Sequence, residues 1–250
     1  MTSSDAAYSS ICERVACAAQ RAGHPVRLLA VSKTKPASAI RALAALGQRD
    51  FGENYVQEAM AKQAELADLN RAESIRSGSA PQWHLIGPLQ SNKCREVAKH
   101  FQWLQSLDRD KLIAPLNRFR SSDGAPLNVL IQVNIDGEGS KSGCVPGAVT
   151  RLAEQITQAQ RLRLRGLMAI PEPHPEIEHR RAAFRRMRAL YDNLRIEYPS
   201  IDTLSLGMSD DFEVAIEEGA TLVRIGTALF GQRERGEGRG ENGGADAEHL

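Results

Sequence analysis

No two of the four cysteines form a CxxC pair, and none has the spacing of a metal site: Cys12, Cys17, Cys94 and Cys144 stand singly in a chain of 250 residues. Reduced thiols in a cytoplasmic protein are therefore expected rather than a disulfide framework. The opening Met-Thr-Ser-Ser-Asp lacks the basic flank and apolar core of a signal peptide. No uninterrupted apolar run approaches the ~20 residues that span a bilayer, so no membrane role is expected. An excess of one charge is missing too. Lys plus Arg (32) nearly balances Asp plus Glu (31), so bulk charge gives no argument for nucleic acid or an anionic membrane as partner, and neither is expected. Any anion site must be local. What remains, 42% hydrophobic and 25% charged residues, is ordinary globular composition.

Short apolar runs rich in β-formers alternate with amphipathic segments along most of the chain. The expected strands cover residues 26–33, 50–54, 83–87, 103–107, 127–135, 162–170, 201–208 and 221–230. Helical patterns fall between them, at 37–46, 55–69, 145–159, 177–198 and 211–218. Such alternation predicts a parallel sheet. Strands that are apolar throughout predict helices on both of its faces or around it. Eight units in ~230 residues fit an α/β fold of the (β/α)8, or TIM, barrel type. The competing open, doubly wound sheet lacks its fingerprint: after the first strand the chain reads Ser32-Lys33-Thr34-Lys35-Pro36 rather than GxGxxG.

Two segments fall outside the alternation. Ala7, Ile11, Val15, Ala18 and Ala22 are three or four residues apart, which predicts an extra N-terminal helix packed on the barrel exterior or closing its floor. Residues 232–250 are rich in Gly, Glu and Arg and nearly devoid of apolar side chains, which predicts a disordered polar tail. The expected division is thus one barrel domain over residues 1–231 and a tail over 232–250.

Lys33 closes the apolar run Leu28-Leu29-Ala30-Val31-Ser32-Lys33. A lysine drawn into such surroundings must be paired, lowered in pKa or used covalently, and a desolvated amine is the usual nucleophile for Schiff-base chemistry with an aldehyde. A lysine just past a strand end with its ammonium in water is the plainer alternative. Barrels work at the carboxyl ends of their strands and often hold phosphate on the loops after strands 7 and 8. Those loops here read Leu206-Gly207-Met208-Ser209-Asp210-Asp211 and Arg224-Ile225-Gly226-Thr227. Gly207 and Gly226 would let backbone approach an anion, Ser209 would cap the next helix, and Thr227 would add a hydroxyl donor. Asp210 and Asp211 must then face away from a phosphate dianion. Two ordinary loops remain the alternative.

Several long blocks carry a family resemblance: 29–36 (LAVSKTKP), 51–58 (FGENYVQE), 83–93 (WHLIGPLQSNK), 166–170 (GLMAI), 204–211 (LSLGMSDD) and 224–231 (RIGTALFG). In this order, from about Arg27 to Gly231, the chain resembles the pyridoxal phosphate homeostasis proteins (the YggS/PROSC type). The resemblance implies a barrel like the N-terminal domain of alanine racemase, with pyridoxal 5'-phosphate (PLP) held as a lysine aldimine. By position in the block that lysine is Lys33; Lys35, directly before Pro36, is expected at the rim. The resemblance also implies Arg224 near the pyridine nitrogen, with Ser205, Gly207, Ser209, Gly226 and Thr227 in the phosphate-holding region. It implies that Asn54 and His84 line the pocket and that Met168 packs beneath the ring. For His84 a hydrogen-bonded core position is equally open, and Asn54 has a helix-capping alternative. Lys141 reads as a loop lysine, and the arginines at 180–188 as a solvated helix face.

The resemblance further implies a carrier active in intracellular PLP supply, with indirect effects on amino-acid and keto-acid pools, rather than an enzyme. An Arg224 charge beside the ring nitrogen would disfavour its protonation, and an unprotonated ring is a poorer electron sink. In alanine racemase-like enzymes a second acid-base group comes from another domain, which the resemblance does not place here. The alternative is a PLP-dependent amino-acid racemase or related enzyme. Expected partners are PLP and apo forms of PLP-dependent enzymes; a monomer or weak dimer is expected.

Overall fold

The structure, a computed structural model, describes residues 3–70, 80–137, 139 and 142–231. Lys141 and the expected tail at 232–250 lie outside the described residues. Eight strands close into one barrel in sequential order, every neighbouring pair parallel. They are β1 (Arg27–Val31), β2 (Asp50–Glu53), β3 (Gln82–Leu85), β4 (Trp103–Leu107), β5 (Leu127–Gln132), β6 (Leu162–Met168), β7 (Thr203–Ser205) and β8 (Leu222–Ile225). The helices among the described residues are α1 (Ser3–Ala22), α2 (Ala37–Ala45), α3 (Val56–Glu65), α4 (Cys94–His100), α5 (Ile113–Phe119), α6 (Val149–Gln158), α7 (Ile177–Glu197), α8 (Phe212–Glu217) and α9 (Thr227–Phe230).

The expected barrel is therefore what forms, and the reason is visible in the burial. β4, β7 and β8 are buried at every residue, as strands covered on both sides must be. The expected strands were longer than those observed at their C-terminal ends. Asn54, Gly87, Asn134, Ile135, Ala169 and Ile170 lie past their strands and Val133 makes only an isolated bridge with Cys144, because regular strand pairing gives out where the mouth opens. Residues 227–230 are helix α9 rather than the end of a strand. Its Phe230 N–H donates to the Gly226 carbonyl at 3.0 Å, so the chain turns away from the sheet directly after β8.

α1 lies on the barrel exterior, against α8 and α9. Ile11, Val15 and Ala18 are buried there, with Ala7 and Ala22 half-buried beside them. Arg14 ties the helix to α8 through two hydrogen bonds to Glu213, at 3.1 and 3.0 Å. No helix among the described residues is long and apolar enough to cross a membrane.

One irregularity matters for the barrel interior. Val129 pairs with Leu164 but Leu130 pairs with Gly166, so Arg165 is an extra residue in β6, a bulge. Its guanidinium reaches Asp202 and Asn128 and stacks on Trp103 at 4.6 Å, with Arg27 over the same ring at 4.7 Å. Gly166 makes the bulge possible. Its φ is +140°, and a Cβ there would lie 2.0 Å from the Thr203 carbonyl oxygen. Gly166→Ala is expected to destabilise the fold by about 3 kcal/mol. Gly124→Ala, where a Cβ meets open space, should change stability by less than about 0.5 kcal/mol. Urea titration of the two variants checks the contrast.

Candidate functional site

Lys33 follows β1 at the barrel mouth, half-buried rather than enclosed, and its neighbours on both sides are anchored. Lys62, on α3 and 5% exposed, donates to the Ser32 carbonyl at 2.7 Å, Glu53 Oε1 at 2.8 Å and Glu58 Oε1 at 2.7 Å. All three ammonium donors are thus directed. The Ser32 hydroxyl donates to Glu53 Oε1 at 2.6 Å. On the other side, the Thr34 N–H donates to Glu58 Oε1 at 2.5 Å. Thr34 has φ +63°, a left-handed conformation that costs a non-glycine residue about 1 kcal/mol or more. The Glu58 contact holds it there. Burial raises the Glu53 pKa above its ordinary value, although the hydrogen bonds from Lys62 and Ser32 pull the other way.

Lys35 is engaged elsewhere. Its Nζ donates to the carbonyls of Phe230 and Gly231 at 3.0 and 3.2 Å, closing the C-terminal end of α9 against the β1 loop. The rim position expected for it becomes a tie between the first and last barrel units.

A cavity of about 500 Å³ opens at the mouth. Of the candidate residues, Lys33, Asn54, Ser209, Arg224, Gly226 and Thr227 line it. β1 and β8 are neighbours, with Leu29 paired to Arg224. Lys33 and the Gly226–Thr227 turn therefore stand side by side on the ring of strands. A Cβ on Gly226 would come within 3.2 Å of the Val31 carbonyl oxygen, so glycine permits this close approach. Asn54 does not cap α3, whose N-cap is Tyr55. Its backbone is held beneath Gly87, where a Cβ would lie 2.2 Å from the Asn54 carbonyl oxygen, and the Gly87 carbonyl accepts the Ser106 hydroxyl at 2.6 Å.

The loop after β7 differs from expectation. Ser209 is not the cap of α8; Asp211 is the N-cap residue. The Asp211 carboxylate turns back to accept the Met208 N–H at 2.7 Å and faces Arg180 at 3.7 Å, away from the cavity. Asp210, expected to face away from a bound anion, instead lines the cavity at its solvent-exposed rim. Gly207 lies outside the cavity lining. Its φ is +83°, and a Cβ would meet Ala215 Cβ at 2.6 Å and Phe212 Cα at 2.9 Å, so it seats α8 on the barrel.

His84, Met168 and Ser205 lie below the cavity, inside the barrel. Met168 packs with Trp103 and Leu130 in a small apolar cluster. His84 is fully buried and stacked on Trp103 at 5.0 Å, so it is a hydrogen-bonded core histidine. Its Nε2 meets Asp50 Oδ1 at 2.8 Å and its Nδ1 meets Gln105 Nε2 at 3.0 Å. Burial holds the His84 pKa below its ordinary value despite Asp50, leaving the ring neutral. Burial works to raise the Asp50 pKa, yet the hydrogen bond from His84 and the Arg27 charge keep it below the usual carboxylate range.

Arg224, 4% exposed, forms the cavity floor. One of its terminal nitrogens, Nη1, donates to the Ser205 carbonyl at 2.8 Å and hydroxyl at 2.6 Å, and the other, Nη2, to the Ala169 carbonyl at 2.8 Å. Burial lowers its pKa to about 10, so it remains a cation at neutral pH. Sequence reasoning missed Gln132, Ile170, Ser142 and Gln105. Gln132 lines the cavity and Gln105 sits in fully buried β4. A glutamine within each apolar run was the available signal, since buried amides need dedicated partners.

A sequential eight-stranded barrel with a lysine and a buried arginine at its C-terminal mouth defines the class, and residues 8–234 match the family described as the alanine racemase N-terminal domain. Within that class the chain belongs to the pyridoxal phosphate homeostasis proteins. It is 54% identical over 231 residues to the protein of that name from Pseudomonas aeruginosa, covering 91% of this chain and 95% of the relative. It is 49% identical over 225 residues to the one from Escherichia coli K12, covering 89% and 93%. PipY of Synechococcus elongatus, solved with PLP bound, superposes with a TM-score of 0.73 at 39% identity, covering 88% of this chain and 100% of that one. Alanine racemase from Corynebacterium glutamicum, at 21% identity and TM-score 0.59 over 90% of this chain and 62% of that one, shares the fold.

Lys62→Met leaves Glu53 buried without its cation and is expected to cost about 3 kcal/mol of stability. Because the folded-state Glu53 pKa is raised, the penalty should be absent below the ordinary value of 4.5. It should grow as pH rises through the folded-state value and then level off. Urea titrations of the variant and the parent protein at pH 4 and pH 8 measure this difference.

Proposed function

We propose that this chain binds PLP at the barrel mouth, covalently and reversibly through Lys33, and serves PLP supply rather than turnover of an amino acid. The observation that carries the reading is that Lys33 is the one lysine among the described residues lining the cavity, while Lys35 and Lys62 are committed to backbone and carboxylate partners. PLP, when bound, supplies an aldehyde that a lysine amine can condense with and release.

The residues present fit that group. On its pyridine ring the aldehyde and phosphate-bearing carbons are adjacent and the nitrogen lies across from the aldehyde. Lys33 stands beside Gly226 and Thr227, and Arg224 lies two residues down the same strand, roughly 6–7 Å at the strand rise. Backbone N–H groups and the hydroxyls of Ser209 and Thr227 would hold phosphate oxygens, and Asn54 and Gln132 would supply polar contacts at the ring edge. Val31, Ile86, Pro88, Ile170 and Met208 provide apolar walls that cover ring faces and exclude water. The Arg224 guanidinium can only donate, so it favours an unprotonated ring nitrogen by hydrogen bond and by charge. That preference limits electron withdrawal from the reacting carbon, which suits a carrier. The resemblance of the whole barrel to pyridoxal phosphate homeostasis proteins supports the same reading.

Borohydride reduction of the purified PLP-loaded protein followed by peptide mapping should label Lys33, and a label confined to another lysine overturns the assignment. Lys33→Ala should abolish the visible absorbance of bound PLP while thermal unfolding stays within a few degrees of the parent. Transfer of PLP to an apo-enzyme faster than spontaneous release supports supply. Amino-acid turnover that disappears in Lys33→Ala favours an enzyme instead.

A further inference from the structure

A continuous file of hydrogen bonds crosses the barrel interior from the cavity floor toward the opposite end. Arg224 Nη1 meets Ser205 Oγ at 2.6 Å, Ser205 Oγ meets Gln105 Oε1 at 2.8 Å, Gln105 Nε2 meets His84 Nδ1 at 3.0 Å, and His84 Nε2 meets Asp50 Oδ1 at 2.8 Å. Ser205, Gln105 and His84 are completely buried, so each group depends on its neighbours for partners.

The file has one direction. A guanidinium only donates, and an ionised carboxylate only accepts. Beginning at Asp50, the neutral His84 carries its proton on Nε2 and leaves Nδ1 bare. Gln105 must then turn its NH2 toward His84 and its carbonyl oxygen toward Ser205. Ser205 in turn donates to Gln105 and accepts from Arg224. Beginning at Arg224, the same order follows in reverse. Both ends therefore select one amide orientation, one hydroxyl rotamer and one histidine tautomer, and bonds aligned this way strengthen each other in a low-dielectric interior.

We propose that Gln105, His84 and Asp50 are positioning residues that hold Arg224 in the orientation required at the ring nitrogen of bound PLP. This rests on the cofactor reading above. Nη1 is pinned between the Ser205 carbonyl and a hydroxyl that cannot rotate, because Gln105 claims its proton. Nη2 is pinned by Ala169. The rest of the fork is thereby presented to the cavity with its orientation already set, which spares the entropy of ordering it on binding.

Two substitutions at Gln105 separate positioning from packing. Gln105→Leu fills the site but ends the file, freeing the Ser205 hydroxyl. Gln105→Glu still accepts from Ser205 and draws a proton onto His84 Nδ1, so the Arg224 end keeps its polarity. Packing alone ranks them the other way, since glutamate places a charge in the interior. PLP release from the loaded proteins, followed as PLP crossing an ultrafiltration membrane after dilution, should be roughly tenfold faster in Gln105→Leu, a difference of about 1.4 kcal/mol. In Gln105→Glu it should be within about threefold of the parent protein, by the modest net worth of one hydrogen bond. Release from Gln105→Leu at the parental rate, or faster release from Gln105→Glu than from Gln105→Leu, overturns the proposal. Should Gln105→Leu fail to fold, Ser205→Ala interrupts the file at its next link and must show the same acceleration. Borohydride trapping runs in parallel. A parent protein that does not label at Lys33 overturns the cofactor reading, whereas labelling in both proteins with equal release rates overturns only the role of the file.

Discussion

Arg224 is a permanent cation inside a barrel, and its placement governs much of the molecule. Leaving such a charge buried and unpaired would cost several kcal/mol. Here the charge is met by the Ser205 carbonyl at the end of β7, which also accepts the Ala169 N–H at 3.3 Å, and by the Ala169 carbonyl just past β6. Burial still holds its pKa down to about 10. The strand ends, the Ser205 hydroxyl and the amide of Gln105 are all arranged around a group that can only donate. The floor of the mouth is consequently a fixed donor surface, and an acceptor such as an unprotonated aromatic nitrogen complements it.

A second buried charge cluster serves the neighbouring strand. Lys62, Glu53 and Glu58 seize the backbone on both sides of Lys33, including a Thr34 held in the left-handed region. Barrel closure puts these two devices side by side, because β1 pairs with β8. Lys35 adds the tie from the β1 loop to the end of α9. Three lysines close to one another in space or sequence thus have distinct environments. Lys62 is consumed in an ion cluster, Lys35 holds carbonyls, and Lys33 faces the cavity with its neighbours immobilised.

The fold was legible because the signals that specify it are local. Runs such as 103–107 and 127–132 are apolar on both faces, glycine and proline punctuate the mouth, and the N-terminal helix shows its buried stripe in Ile11, Val15 and Ala18. Boundaries were less legible at the mouth. Apolar residues recur at Val133, Ile135 and Ile170, past the ends of the regular strands, so pattern alone extends the strands too far. Among the site residues, Lys33, Arg224, Gly226 and Thr227 were visible as polar or flexible residues ending apolar runs. Ser209 was misread as a cap because the turn at Met208–Asp211 uses the Asp211 carboxylate instead, a choice that the order of letters leaves open.

By itself the sequence determined a parallel α/β barrel and which residues gather at its carboxyl end, since periodicity and strand order suffice for both. Only the tertiary structure decided which of Lys33, Lys35 and Lys62 faces the cavity, that Gly207 seats a helix, and that His84, Gln105 and Ser205 form one directed file to Arg224. Most of those outcomes depend on contacts between residues far apart in the chain, 19 positions for Arg224 and Ser205, 100 for Ser205 and Gln105 and 195 for Lys35 and Phe230. Hydrogen-bond direction is a property of the assembled network, and no single residue along the chain carries it.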